Sequence, residues 1–195
     1  MKNILIVYDT IEGQTKKIAD AIADKLKCEG HWVKISKADN MVVVLKSYDA
    51  IIVGGPVHMQ RYPKNLENWI SLNAYELRRK KTSFFSVCLG ILQNKDTKVQ
   101  NAEIKIVKNF LKKHSWNPDM VEIFAGSLAY TKYGWLKKRI MRFIAKQAGG
   151  STDISKDYEY TDWNQVRQFA ENFSLLLKSD KEVFPETLSR DMNLE

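Results

Sequence analysis

The sequence predicts an α/β fold in which a parallel five-stranded sheet is covered by helices on both faces. Three observations carry this reading. Short β-rich apolar runs alternate with helical apolar stripes along the chain, and nothing recurs at a fixed period that would signal a repeat array. One run, Asp49 to Gly54 (DAIIVG), is continuously apolar, as a parallel strand buried on both faces must be. With 195 residues and a hydrophobic fraction of 44%, the chain is expected to form one domain over 1–178 followed by a polar tail over 179–195.

The elements follow in order. Lys2 to Tyr8 (KNILIVY) is the first strand, and Ile18, Ile22 and Leu26 mark a helix after Gly13. His31 to Ser36 is a weaker strand, and Met41 to Lys46 is a poor helix or a connecting loop. The apolar run 49–54 closes on Gly-Gly-Pro. Leu66, Trp69, Ile70 and Leu77 form a helical stripe from Pro63 to Lys80, with Pro63 at the first helical position. Thr82 to Leu89 is the fourth strand, Thr97 to His114 a helix through Ile106, Val107, Phe110 and Leu111, and Met120 to Ala125 the fifth strand. The last helix is capped by Thr161 or Asp162 and runs through Val166, Phe169, Ala170 and Phe173. Residues 127–160 fit no strand or helix of this alternation and read as an insertion after the fifth strand.

Composition excludes several classes. No apolar run approaches the roughly 20 residues that cross a bilayer, and Met1–Tyr8 is followed at once by Asp9, Glu12 and Asp20, unlike a signal peptide. Cys28 and Cys88 stand far apart with no CxxC or His pairing, so neither a disulfide framework nor a metal site is expected; two buried free thiols are. The formal charge of +8 admits nucleic acid, an anionic membrane or an acidic small molecule.

In doubly wound sheets the ligand lies outside the carboxyl ends of the strands, which directs attention to three turns. The first, Asp9 to Thr15, is neither G-x-G-x-x-G nor a Walker loop. Thr10, Gln14, Thr15 and the free N–H groups of a helix N-terminus can instead converge on a phosphate monoester, with Glu12 and Gly13 completing the turn. The same turn also reads as an ordinary hydroxyl-capped helix start. Following the strand Ile-Leu-Ile-Val-Tyr, Thr-x-x-Gly-Gln-Thr resembles the FMN phosphate loop of flavodoxin-like proteins, and the resemblance covers nearly the whole chain in element order. It implies a three-layer sandwich with strand order 2-1-3-4-5 and FMN as cofactor. The second turn, Gly54 to Pro63, then brings Gly55, Pro56, Val57 and His58 against the flavin ring. The third, Ser86 to Gln93, brings Ser86, Val87, Cys88, Leu89 and Gly90 to the ring's other side. His58 stands either as a proton donor at the ring edge or as a plain loop histidine; Cys88 reads as a packed small residue.

Between Glu122 and Asp153 there is no acidic residue, while Lys132, Lys137, Lys138, Arg139, Arg142 and Lys146 interleave with Tyr130, Tyr133, Trp135, Leu136, Ile140, Met141, Phe143 and Ile144. A helix over 135–147 would gather Leu136, Ile140, Phe143, Ile144 and Gln147 on one face, with basic residues on its sides and back. Such a helix either packs its apolar face on the domain or lies, through 130–150, on an anionic membrane surface. The absence of a recognition motif argues against nucleic acid.

This insertion, Ser115-Trp116-Asn117-Pro118, Gly149 to Asp153 and Tyr160 to Trp163 together resemble the bacterial, quinone-dependent protoporphyrinogen oxidases of flavodoxin type. The resemblance implies oxidation of a porphyrinogen in haem biosynthesis, in three two-electron cycles, with menaquinone or another respiratory quinone as acceptor. It also implies a cytoplasmic location, peripheral on the inner face of the cell membrane. The second loop departs from the family: Gly-Gly-Pro-Val-His-Met stands where its members carry a small residue, Ser and Arg, so FMN binding carries over more directly than substrate chemistry. A flavodoxin-like electron carrier and another FMN-dependent quinone reductase are the alternatives.

Overall fold

The computed structural model describes residues 1–39, 44–89, 97–128, 130–132 and 153–179. Five strands, β1 (Asn3–Tyr8), β2 (Trp32–Lys37), β3 (Ala50–Pro56), β4 (Lys81–Cys88) and β5 (Met120–Ala125), form one parallel sheet in the order β2-β1-β3-β4-β5. Around it lie α1 (Gln14–Cys28), α2 (Lys64–Leu77), α3 (Thr97–Lys113) and α4 (Trp163–Ser179). The expected strand order and flanking helices are therefore present. The expected basic helix over 135–147, most of the expected tail and Gly90 lie outside the described residues.

Each strand's alternation divides the core between two faces. Ile4, Ile6, Ile52, Phe85, Val87 and Phe124 turn toward α1 and α4, meeting Ile18, Ile22, Leu26, Val166, Phe169 and Phe173. Leu5, Val7, Ile51, Val53 and Phe84 turn to the opposite side and pack with Leu66, Trp69 and Ile70 of α2 and Val107 and Phe110 of α3. β3 is central and buried at every position, which is why its sequence carries no polar alternation. Gly54 is required there by close approach: a Cβ would stand 1.9 Å from Cζ of Phe85 on the neighbouring strand.

Helix ends refine the sequence expectations. Asp162 caps α4, its Oδ1 accepting from the N–H groups of Asn164 (2.8 Å) and Gln165 (3.3 Å), while Thr161 turns inward. Pro63 precedes α2 in an extended conformation, ψ 140°, instead of being its first residue. Cys28 is exposed, contrary to expectation, and Cys88 is buried. The buried positions of α1 run through Ile22, Ala23 and Leu26, and Cys28, two residues beyond Leu26, has rotated off that stripe. The insertion is rooted by a small antiparallel pair, β6 (Ser127–Leu128) with β7 (Tyr158–Glu159). Leu128 and Tyr130 are fully buried there, packed by Leu89, Ile154, Tyr158 and Tyr160. Tyr130 thus belongs to a local core, packed on the domain side.

His31 closes the other end of the sheet. It is buried, Nε2 lies 2.9 Å from Oγ of Ser174 on α4, and Nδ1 has no partner. Burial, aided by the positive N-terminus, Lys178 and Lys2 against the opposing pull of Glu29, holds its pKa below the ordinary histidine value.

Two outcomes follow for stability. Gly54→Ala is expected to destabilise the fold by about 1–3 kcal/mol through overpacking against Phe85, read as a lowered urea midpoint. Because the folded His31 resists protonation, the unfolded chain binds more protons below about pH 6.5. Stability is therefore full above that pH and is lost as pH falls toward 5; urea midpoints at pH 7 and 5 should converge in His31→Gln relative to the parent.

Candidate functional site

Backbone hydrogen bonds continue the sheet ladder past the carboxyl ends of the strands and so bring the three turns together. Asp9 N–H donates to Gly54 O at 3.1 Å, Val57 N–H to Val87 O at 2.8 Å, and Gly126 N–H to Cys88 O at 2.8 Å. The turn after β1 thus lies beside the loop after β3, that loop beside the end of β4, and the end of β4 beside the root of the insertion.

The first turn is held from within. Oδ1 of the buried Asp9 accepts from Thr10 N–H at 2.7 Å, and Thr10 Oγ1 accepts from Gly13 N–H at 2.9 Å. The Thr10 hydroxyl hydrogen is left to point elsewhere. Gly13 stands at φ 98°, where a side chain is strained, and this conformation starts α1. The first intrahelical bond is Lys17 N–H to Gly13 O, so the N–H groups of Gln14, Thr15 and Lys16 have no helical acceptor. The first turn of α1 carries no acidic residue. Thr15 is buried behind it. The side chain of Gln14 does not turn to the loop: its Nε2 donates to Thr161 Oγ1 at 2.8 Å. Nearby lysines are already engaged, Lys16 with Asp20 at 2.7 Å and Lys17 with Glu159 at 3.0 Å. This end therefore offers neutral donors and a helix dipole, a donor set suited to a phosphate monoester.

The loop after β3 folds into a tight hairpin. His58 and Arg61 exchange backbone bonds at 2.9 and 3.0 Å, and the two residues between them, Met59 and Gln60, take φ of 49° and 62°. Met59 is 95% exposed at the tip, and Ile11 in the first turn is 55% exposed. His58 forms the hairpin's base and Pro56 ends the buried strand.

On β4 the side chains of Ser86 and Cys88 are buried and engaged. Ser86 is fully buried and accepts from Tyr62 Oη at 2.8 Å. Cys88, also buried, hydrogen-bonds Glu103 on α3. Burial raises the Glu103 carboxyl above the usual range, with the Cys88 bond partly opposing, and Oε2 is buried without a partner. Burial likewise raises the Tyr62 phenol, against the bond to Ser86. Sequence reading passed over Glu103; its signal was a carboxylate continuing the buried stripe of Val107 and Phe110 by one turn. It also passed over Thr161 as anything other than a cap.

The root of the insertion closes the site on the last side. Tyr160 N–H donates to Gly126 O at 3.1 Å, Thr161 Oγ1 to Ala125 O at 2.8 Å, and Trp163 Nε1 to Glu159 Oε1 at 2.8 Å. Burial works to raise the Glu159 carboxyl; hydrogen bonds from Lys17 and Trp163 outweigh it and hold it below the usual range. Among the described residues no three His, Cys, Asp or Glu side chains gather as a metal site, and no helix is long and apolar enough to cross a membrane.

A family model described as a flavodoxin domain matches residues 5–155. The protoporphyrinogen IX dehydrogenase (quinone) of Leishmania major is 33% identical over 179 residues, covering 88% of this chain and 74% of that protein. The protein of the same name from Escherichia coli K12 is 29% identical over 173 residues, covering 88% of this chain and 94% of its own. Oxidised flavodoxin 2 from Bacillus cereus shares the fold, with a TM-score of 0.54 at 19% identity over 89% of this chain and 99% of the flavodoxin.

Removing the buried phenol hydroxyl tests the polar layer beneath the cleft. Tyr62→Phe deprives Ser86 of its donor and is expected to cost about 1 kcal/mol in urea unfolding with the circular dichroism spectrum unchanged.

Proposed function

Because the chain belongs to the flavodoxin-domain family, within the group of the protoporphyrinogen IX dehydrogenases (quinone), we propose that it is an FMN-dependent enzyme that oxidises a porphyrinogen and passes the electrons to a respiratory quinone. The observation that carries this reading is likeness over 88% of the chain to proteins bearing that name, beside a flavodoxin-domain match over 5–155 that includes the three turns and most of the insertion.

The donor chemistry of the first turn fits FMN. Thr10, Thr15 and the N–H groups at the start of α1, shaped by Glu12, Gly13 and Gln14, would hold the phosphate without a lysine, since Lys16 and Lys17 are paired elsewhere. Gly55, Pro56, Val57 and His58 on one side and Ser86, Val87, Cys88, Leu89 and Gly90 on the other would flank the ring. With the Ser86 and Cys88 side chains engaged below, the backbone of that loop would face the ring. Bound FMN supplies the two-electron acceptance that a dehydrogenation requires. His58, at the hairpin base beside this position, is our candidate for the proton donor at the ring edge.

The acid-free basic segment 130–150 gives the surface charge its role, attracting the carboxylates of the porphyrinogen and the anionic lipid beside a quinone pool. Menaquinone, a place in haem synthesis and peripheral attachment at the inner face of the cell membrane follow from this reading.

The decisive experiment is anaerobic incubation of FMN-loaded protein with protoporphyrinogen and a menaquinone analogue. Porphyrin fluorescence should rise well above a no-enzyme control; no rise would refute the assignment. The double variant Thr10→Val with Thr15→Val should bind FMN at least about tenfold more weakly in flavin fluorescence titration, two hydroxyl donors being lost.

A further inference from the structure

The inserted segment leaves the sheet at Ala125–Gly126 and returns at Tyr160–Thr161, and both passages meet at one point. Tyr160 N–H donates to Gly126 O at 3.1 Å, and β6 pairs with β7 just outside. That point lies against the first turn of α1. Thr161 Oγ1 accepts from Gln14 Nε2 at 2.8 Å and donates to Ala125 O at 2.8 Å, and three residues along the helix Lys17 Nζ reaches Glu159 Oε2 at 3.0 Å. Residues 14 and 17 share a helix face, so both ties act on the same side of α1.

The two ties are not equal. The Lys17–Glu159 pair is largely in solvent, where such pairs hold weakly. Gln14 and Thr161 are 6% and 9% exposed, so their bond has no water to replace it. Without Thr161 the Gln14 carboxamide keeps only its bond to the Glu159 carboxylate at the outer rim, and as the first residue of α1 it would draw the free N–H groups of Gln14, Thr15 and Lys16 toward that side.

We propose that Thr161 is a positioning residue for the phosphate end of the flavin site: through Gln14 it bolts the N-terminus of α1 to the end of β5 and to the root of the inserted segment. The proposal rests on the reading of Asp9–Thr15 as the FMN phosphate loop. It makes the order of the insertion's root and occupancy of the phosphate site mutually stabilising, since coupling between two sites is reciprocal. The side-chain hydrogen bonds of Thr161 go to Gln14 and to Ala125 O, so its effect is expected at the phosphate end.

Riboflavin, which has the same ring and no phosphate, separates this role from general damage. Dissociation constants of FMN and riboflavin are measured by flavin fluorescence for the parent, Thr161→Val and Thr161→Ser, with urea midpoints alongside. Thr161→Val should weaken FMN about tenfold and leave riboflavin unchanged, and Thr161→Ser, which restores the hydroxyl, should restore FMN. Unchanged FMN binding in Thr161→Val overturns the proposal alone. So does an equal loss of both flavins, which would make Thr161 a residue of the fold only. A parent protein that takes up no FMN overturns the flavin reading and this proposal with it.

Discussion

Parallel pairing of β3 with β1 on one side and β4 on the other sets where every functional loop stands, because parallel strands all end at the same edge. The register aligns Tyr8 with Gly54 and Gly54 with Phe85, and the ladder runs on into Asp9, Val57 and Gly126. Three stretches distant in sequence become neighbours through backbone bonds alone. The arrangement depends on close packing beneath it. With Phe85 lying over Gly54, and with Phe85, Phe124 and Phe169 meeting at ring distances of 5.6 to 6.3 Å, little room exists for the edge to shift.

Polar groups are distributed unevenly around this edge. The first turn is lined with neutral donors and stays accessible, whereas Tyr62, Ser86, Cys88 and Glu103 form a polar layer below the cleft on the α2–α3 side. A buried carboxyl with one unpartnered oxygen is costly to keep ionised, and its raised pKa expresses that cost. The layer fixes the Ser86 and Cys88 side chains from beneath.

The insertion is an outgrowth of the same edge. Its root has a core of its own, Leu128 and Tyr130 under Leu89, Ile154 and Tyr158, and its ties to Gln14 and Lys17 join it to the start of α1. The parallel sandwich and the root of the inserted segment are thereby tied together at this point. The charge follows the same division, since lysines on α1 are paired with carboxylates while 123–152 contains bases and no acid.

Much was legible in the sequence because it is local or periodic. Strand runs, helical stripes, the Gly-Gly-Pro stop after β3 and the Thr-x-x-Gly-Gln-Thr turn each declare themselves within a few residues, and strand alternation with helices fixes a parallel sheet whose ends converge. What a side chain does once there was not legible. Gln14 reads as a phosphate donor and binds Thr161, 147 positions away. Ser86 and Cys88 fall in the turn expected beside the ring, and their side chains are engaged by Tyr62 and Glu103; Tyr130, open between domain and membrane in the sequence, is core. Sequence by itself determined the elements, the fold and the turns that carry the site, since these follow from short-range periodicity and backbone rules. Only the tertiary structure decided which polar groups face the cleft and which are spent on one another, because hydrogen-bond partners are chosen by proximity in space.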